Sequence, residues 1–336
     1  MKAAVIPEKG APFVIEERPD PEAGPGTVRI RVHACGYCRS DENIRHGMAS
    51  AYPRVPGHEP AGVIDQVGEH VPDAWQVGDR VGVGWHGGHC GACDTCRSGD
   101  VKRCPDRLGC GSSYDGGFAT HLVVPHTALA RLPDGLSFEE AGPILCGGIT
   151  VWNALRSSGA SWGDRVAVQG LGGLGHLAVQ YADAMGLETV AISRGAGKAE
   201  LATQLGADHY VDATDDVAAQ LQALGGCRAI IATAPSGDAM RPLFDGLGPD
   251  GRLVIVGVSP DEVGAPAYSY LGNDRGIQGS VIGSPSEAEA CLRFSALKGI
   301  KPWIEPFTLE DVATAQERLL ANELRFRAVL TMQTDS

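Results

Sequence analysis

The pattern of apolar positions changes near the middle of the chain. Up to about residue 150, apolar positions come in short runs of period two. In TVRIRVHA (27–34), Val28, Ile30 and Val32 fall on one face and Thr27, Arg29 and Arg31 on the other, the alternation of a strand with one buried side. GVIDQVG (62–68) and DRVGVG (79–84) follow, separated by Pro and Gly, which mark turns. No long 3.6-residue pattern occurs there. This half predicts a small antiparallel sheet or barrel carrying functional loops.

Beyond about residue 150 strands and helices alternate. DRVAVQG (164–170) reads as a buried strand, and Leu174, Leu177, Ala178, Tyr181 and Met185 then form one helical stripe. ETVAIS, HYVDA, RAIIATA and RLVIVGV read as further strands, with KAELATQLG, DVAAQLQALG and AMRPLFDGLG as helices between them. Such alternation predicts a parallel, doubly wound sheet. GIQGSVIG adds a last strand, and Ser284, Pro285 and Glu287 form an N-cap, N1 proline and capping-box glutamate. The closing FRAVLTM is a strand that rejoins the first half. The expected fold class is α/β, with a β-rich domain over 1–149 to which 284–336 return, and a doubly wound domain over 150–283.

Composition narrows the function. Lys and Arg number 28 against 41 Asp and Glu, a net charge of −13, with no basic stripe for nucleic acid. No apolar run is long enough to span a membrane, and MKAAVIPEKG lacks the form of a secretion signal. The ten cysteines among 336 residues are too dilute for a disulfide scaffold, and a cytoplasmic protein is expected.

GLGGLG (170–175) has the G-x-G-x-x-G spacing between a predicted strand and a predicted helix. Gly170 permits the tight turn, Gly172 lets backbone approach a pyrophosphate, and Gly175 lets helix and strand pack; Gly173 and Leu174 complete the turn. The helix N-terminus then offers N–H groups to the anion. The next strand ends in Ser193 and Arg194, with Lys198 close by, where a carboxylate would select NAD. Ser193 leaves room for a 2′-phosphate and Arg194 suits it, so NADP is favoured over NAD.

Four cysteines crowd one stretch, HCGACDTCRSGDVKRCP: Cys90, Cys93, Cys96 and Cys104. A disulfide knot, an iron–sulfur cluster and zinc compete. The ferredoxin run has three residues before its last cysteine, whereas seven stand here. Four thiolates suit closed, structural zinc. A second, dispersed set, Cys38, His58 and Cys146, supplies Cys₂His, which leaves the fourth zinc position open.

CRSD, GHE, the four-cysteine lobe, LCGG and GLGGLG, in this order, resemble the zinc-dependent medium-chain alcohol dehydrogenase family over essentially the whole chain. The resemblance implies a GroES-like catalytic domain, a Rossmann coenzyme domain and two zinc ions per chain, one catalytic and one structural. It also implies hydride transfer between an alcohol, or an aldehyde or ketone in reverse, and NAD(P). By position, Cys38, His58 and Cys146 match catalytic zinc ligands, Glu59 an alternative ligand and Asp41 a carboxylate orienting the histidine. Cys90, Cys93, Cys96 and Cys104 match the structural lobe, and Arg39 and Arg327 match arginines at the pyrophosphate. Trp85 matches a wall of the substrate pocket. Ser40 matches the start of a proton relay whose usual terminal histidine is replaced by Asn43, with His46 three residues on, or water, as substitute. Relatives of this length are often tetramers and sometimes dimers. Asn43 also keeps open a zinc-containing, NADPH-dependent reductase of an activated C=C or C=N bond.

Overall fold

The structure is a computed structural model and describes residues 1–332. The chain divides into two compact units, Met1–Ile149 with Ile282–Ser336, and Thr150–Val281.

The first unit opens with the antiparallel pair β1 (Lys2–Val5) and β2 (Val14–Glu17). Then come β3 (Thr27–Tyr37), β4 (Pro60–Val67), β5 (Arg80–Val83), β6 (His121–Pro125) and β7 (Leu129–Arg131). The alternation in TVRIRVHA is realised: Val28, Ile30 and Val32 are fully buried.

The second unit contributes β8 (Arg165–Gln169), β9 (Glu188–Ser193), β10 (His209–Asp212), β11 (Cys227–Ala232), β12 (Leu247–Ile255) and β13 (Gly276–Gly279). Their order is β10-β9-β8-β11-β12-β13, with every neighbouring pair parallel. This is the doubly wound Rossmann arrangement, whose order reverses between β8 and β11. The near-continuous apolar runs follow from burial on both faces of a parallel sheet. AMRPLFDGLG differs from the expected helix. Its first two residues end the short helix Gly237–Met240, Arg241–Gly246 winds as 3₁₀, and its last two already lie in β12; Pro242 lacks the N–H that an α-helix needs.

The chain then returns to the first unit. Pro285–Lys298 is a helix capped by Ser284, whose Oγ accepts from Glu287 N while Glu287 Oε2 accepts from Ser284 N. After it come β14 (Ile304–Thr308), the helix Val312–Leu320 and β15 (Arg327–Thr331). The sheet of this unit runs β14-β15-β3-β4-β5-β7, with β6 also paired to β3. Strand β3 is therefore the spine, bordered at its C-terminal end by β4 and β15. Cys35 opposes Pro60, and Ala328 opposes Tyr37.

Candidate active site

These two registers build the first cluster. Pairing of β3 with β4 sets Glu59 beside Gly36, whose N–H donates to Glu59 O at 3.2 Å. Pairing with β15 brings Arg327 level with Cys38. Cys146 arrives on the segment Ile144–Gly148, after the helix Phe138–Pro143. That helix comes close because Gly142 has no side chain: a Cβ there would lie 3.0 Å from Glu59 O and 3.1 Å from Gly36 N.

The ligand atoms of Cys38, His58, Glu59 and Cys146 lie within 4.8 Å of one another. His58 Nε2 is 3.2 Å from Cys146 Sγ, which is 4.0 Å from Cys38 Sγ. A tetrahedral zinc with bonds of about 2.3 Å to sulfur and 2.0–2.1 Å to nitrogen spaces its ligands by about 3.6–3.8 Å, so the donor set fits zinc. The residues of the lobe fit too. Cys90 and Cys96 sulfurs are 4.0 Å apart, Cys93 and Cys104 3.9 Å, and Cys104 and Cys90 3.6 Å. All ten cysteines are free thiols, so no disulfide knot forms.

Asp41 organises the first cluster. It is fully buried and sits in the short helix Arg39–Asn43. Its Oδ1 lies 2.8 Å from His58 Nδ1 and accepts from Gly57 N at 3.1 Å, while Oδ2 accepts from Cys38 N at 3.0 Å. One carboxylate thus ties the backbone at both ligand segments and directs His58 Nε2 toward the cysteines. Burial works against charge on His58, but Asp41 overcomes it and raises the imidazole well above its usual range. The hydrogen bond with Cys146 holds Cys38 well below the usual thiol range and pushes Cys146 above it. Burial pushes the Glu59 carboxyl up to about 7 against the pull of Arg327.

Arg327, grouped by sequence with the cofactor residues, is buried and pairs with Glu59 Oε1. Among the described residues, Glu59 Oε2 and Arg327 Nε have no hydrogen-bond partner. Arg39 is exposed and donates to Leu319 O and Asn322 Oδ1 at 3.2 and 3.0 Å. Trp85 stands edge-on to His58, ring centroids 5.0 Å apart. Ser40 is half-buried and Asn43 exposed. His46 is exposed, its Nε2 3.9 Å from Glu42 Oε2. Glu42 itself escaped the sequence reading. It is buried and receives Tyr37 Oη and Gln316 Nε2, each at 2.7 Å, and Arg45 Nε at 3.0 Å. An acidic residue next to Asp41 gives no local sign of partners that come from a distant helix.

In the second unit, Gly170 has φ of +88°, and a Cβ on Gly175 would lie 1.6 Å from Gly170 O, so neither admits a side chain. A Cβ on Gly172 meets nothing within 4 Å: that position is open to a ligand. Gly173 and Leu174 are half-buried at the start of the helix Gly175–Ala184. Ser193 is buried at the end of β9, with Arg194 and Lys198 exposed in the loop beyond. Residues of β10 fix this loop. Asp212 Oδ1 accepts from Gly195 N at 2.8 Å, and Tyr210 Oη donates to Gly195 O at 2.6 Å.

Comparison with known proteins gives the family. Residues 24–134 match the alcohol dehydrogenase GroES-like domain and residues 173–296 the zinc-binding dehydrogenase family. The chain is 40% identical over 333 residues to alcohol dehydrogenase notN of Aspergillus sp. (strain MF297-2), covering 98% of each chain. Among solved structures, a cinnamyl alcohol dehydrogenase of Sorghum bicolor superposes with a TM-score of 0.89 at 32% identity, covering 100% of this chain and 99% of that one. An NAD-dependent alcohol dehydrogenase superposes with a TM-score of 0.91 at 29% identity, covering 99% and 100%. The fold and site define a zinc-binding, nicotinamide-dependent oxidoreductase. The chain belongs to the zinc-dependent medium-chain alcohol dehydrogenase family.

Proposed function

We propose that this chain transfers hydride between a small alcohol, or the corresponding aldehyde or ketone, and NADP(H), using zinc at Cys38, His58 and Cys146. The observation that carries the reading is the gathering of Cys38, His58 and Cys146, with Glu59, within 4.8 Å of one another. A zinc ion held there supplies Lewis acidity to a substrate oxygen and lowers the pKa of its hydroxyl. The nicotinamide ring supplies the hydride acceptor. Asp41 holds the proton on His58 Nδ1, so that Nε2 remains a donor to the metal. Arg327 balances the Glu59 charge inside the site. Ser40, on the first helical turn after Cys38, relays the hydroxyl proton, accepting it as it passes its own on. Asn43 is not a base, so the proton leaves through His46 or water. Trp85 forms one wall for the substrate.

The lobe holds the second, structural zinc: four thiolates leave no position for substrate. Gly170, Gly172, Gly173, Leu174 and Gly175 receive the pyrophosphate of the dinucleotide; Arg39 is assigned to anion binding by its family match alone. Ser193, Arg194 and Lys198 favour NADP. Oligomerisation, as a dimer or tetramer, is supported by the edge position of β13 and by Val258, Tyr268, Leu271 and Val281, all exposed apolar residues in the same unit. Among the described residues no helix is long and apolar enough to cross a membrane, in keeping with a cytoplasmic enzyme.

The test is metal analysis combined with an alcohol panel run separately with NAD and NADP. Two zinc ions per chain and alcohol turnover are expected, with Cys38→Ser and His58→Ala abolishing turnover while dinucleotide binding persists. Turnover of an activated C=C or C=N bond without any alcohol activity overturns the assignment.

A further inference from the structure

Gly36 lies on β3, two residues before Cys38, and its missing side chain faces Glu59. A Cβ there would lie 1.8 Å from Glu59 Oε2, 2.9 Å from Cδ and 3.2 Å from Cβ. Gly36 is not one of the glycines with positive φ, so its backbone suits alanine and the constraint is one of space. The strand has no room to retreat. Gly36 N is bonded to Glu59 O, and Gly142 closes over both at 3.0–3.1 Å from any Cβ of its own. Glu59 Oε1 is held by Arg327, while Oε2 has no hydrogen-bond partner among the described residues. One Glu59 oxygen already lies within 4.8 Å of the ligand atoms of Cys38, His58 and Cys146. In this one pose Oε2 stands over the bare Cα of Gly36 while Oε1, on Arg327, lies 3.9 Å from His58 Nε2, so a group placed on Gly36 must move the carboxylate, and the fourth position of the metal adjoins it.

We infer that Gly36 is a positioning residue, whose empty side-chain volume holds the Glu59 carboxylate off the metal and so keeps the fourth position open. This rests on the zinc reading of the site and adds to it the element that governs occupancy by Glu59. Filling the volume with a methyl group turns the carboxylate toward the metal, where it competes with any incoming ligand. A buried carboxylate cannot escape to water, and closely packed interiors do not absorb an overlap of this size by small shifts.

The test uses the full chain loaded with cobalt(II), whose visible bands report coordination, titrated with imidazole as the incoming ligand. In Gly36→Ala the half-saturating imidazole concentration is expected to rise by about tenfold or more, the scale on which groups around a metal alter its binding. In a Glu59→Ala background, adding Gly36→Ala is expected to change nothing. Equal imidazole affinity in Gly36→Ala and the unaltered chain overturns the inference. An equally large loss in the Glu59→Ala background also overturns it, because the glycine would then serve something other than the carboxylate. A Gly36→Ala chain that fails to fold is resolved in that same background: recovery on removing the carboxylate supports the inference, and continued misfolding overturns it. Absence of any cobalt at the Cys₂His set in the unaltered chain overturns the metal reading itself, a result distinct from both arms.

Discussion

Replacing Asp41 by Asn tests how the Cys₂His site is held. Its buried carboxylate accepts three hydrogen bonds, from Cys38 N, Gly57 N and His58 Nδ1, at 3.0, 3.1 and 2.8 Å. An asparagine of the same shape has one acceptor oxygen. Directed toward His58 and Gly57, it leaves its NH₂ facing Cys38 N–H, donor against donor. A buried donor left unmet costs about 1–3 kcal/mol, and loss of the carboxylate charge weakens the bond to His58 by about 1 kcal/mol. The part felt by the metal is a loss of about 10–100-fold in affinity, or about 1.4–2.7 kcal/mol at 1.36 kcal/mol per decade. Zinc affinity is measured by chelator competition, with the four-cysteine lobe as internal control. The Cys₂His affinity is expected to fall by that factor while the lobe is unchanged. A folded Asp41→Asn chain with unchanged zinc affinity at Cys₂His refutes the role given to Asp41.

The glycine turn separates folding from binding. Gly175→Ala, whose Cβ would sit 1.6 Å from Gly170 O, is expected to destabilise the second unit by about 1–3 kcal/mol in denaturant unfolding. Gly172→Ala meets nothing within 4 Å and is expected to leave stability unchanged while weakening dinucleotide binding in calorimetry. Ser193→Asp places a carboxylate at the end of β9 and is expected to lower NADP affinity by about tenfold or more relative to NAD; an unchanged ratio sinks the NADP reading. Acid should release the metal from the Cys₂His set. His58, raised by Asp41 above its ordinary value of 6.5, holds a proton that competes with zinc, so affinity falls as pH drops from above that value. In Asp41→Asn the decline should begin at lower pH, as read from zinc affinity across pH. Cys93→Ser is expected to lose one zinc per chain and lower the Tm, because four-thiolate zinc contributes folding energy.

Most elements of the second unit are legible from pattern alone. Buried parallel strands give continuous apolar runs, so ETVAIS corresponds residue for residue to β9, Glu188–Ser193. The capping box at Ser284 is equally local. Reading fails where local preferences are weak. Pro242 turns an expected helix into 3₁₀.

The same division holds for function. Cys90, Cys93, Cys96 and Cys104 lie within one short segment, as do Gly170, Gly172 and Gly175. Closing so short a loop costs little entropy, and spacing alone determines what those residues can bind. Cys38 and Cys146 stand 108 residues apart, and Glu59 and Arg327 stand 268 apart. The residue types named candidates, but the registers of β4 and β15 on β3 decide which atoms meet. Only those registers bury Arg327 against Glu59, bring Gly57 N and His58 Nδ1 to Asp41 and set Glu59 over Gly36. Strand register depends on pairing across the whole sheet, where a slip of one residue would reverse every side chain.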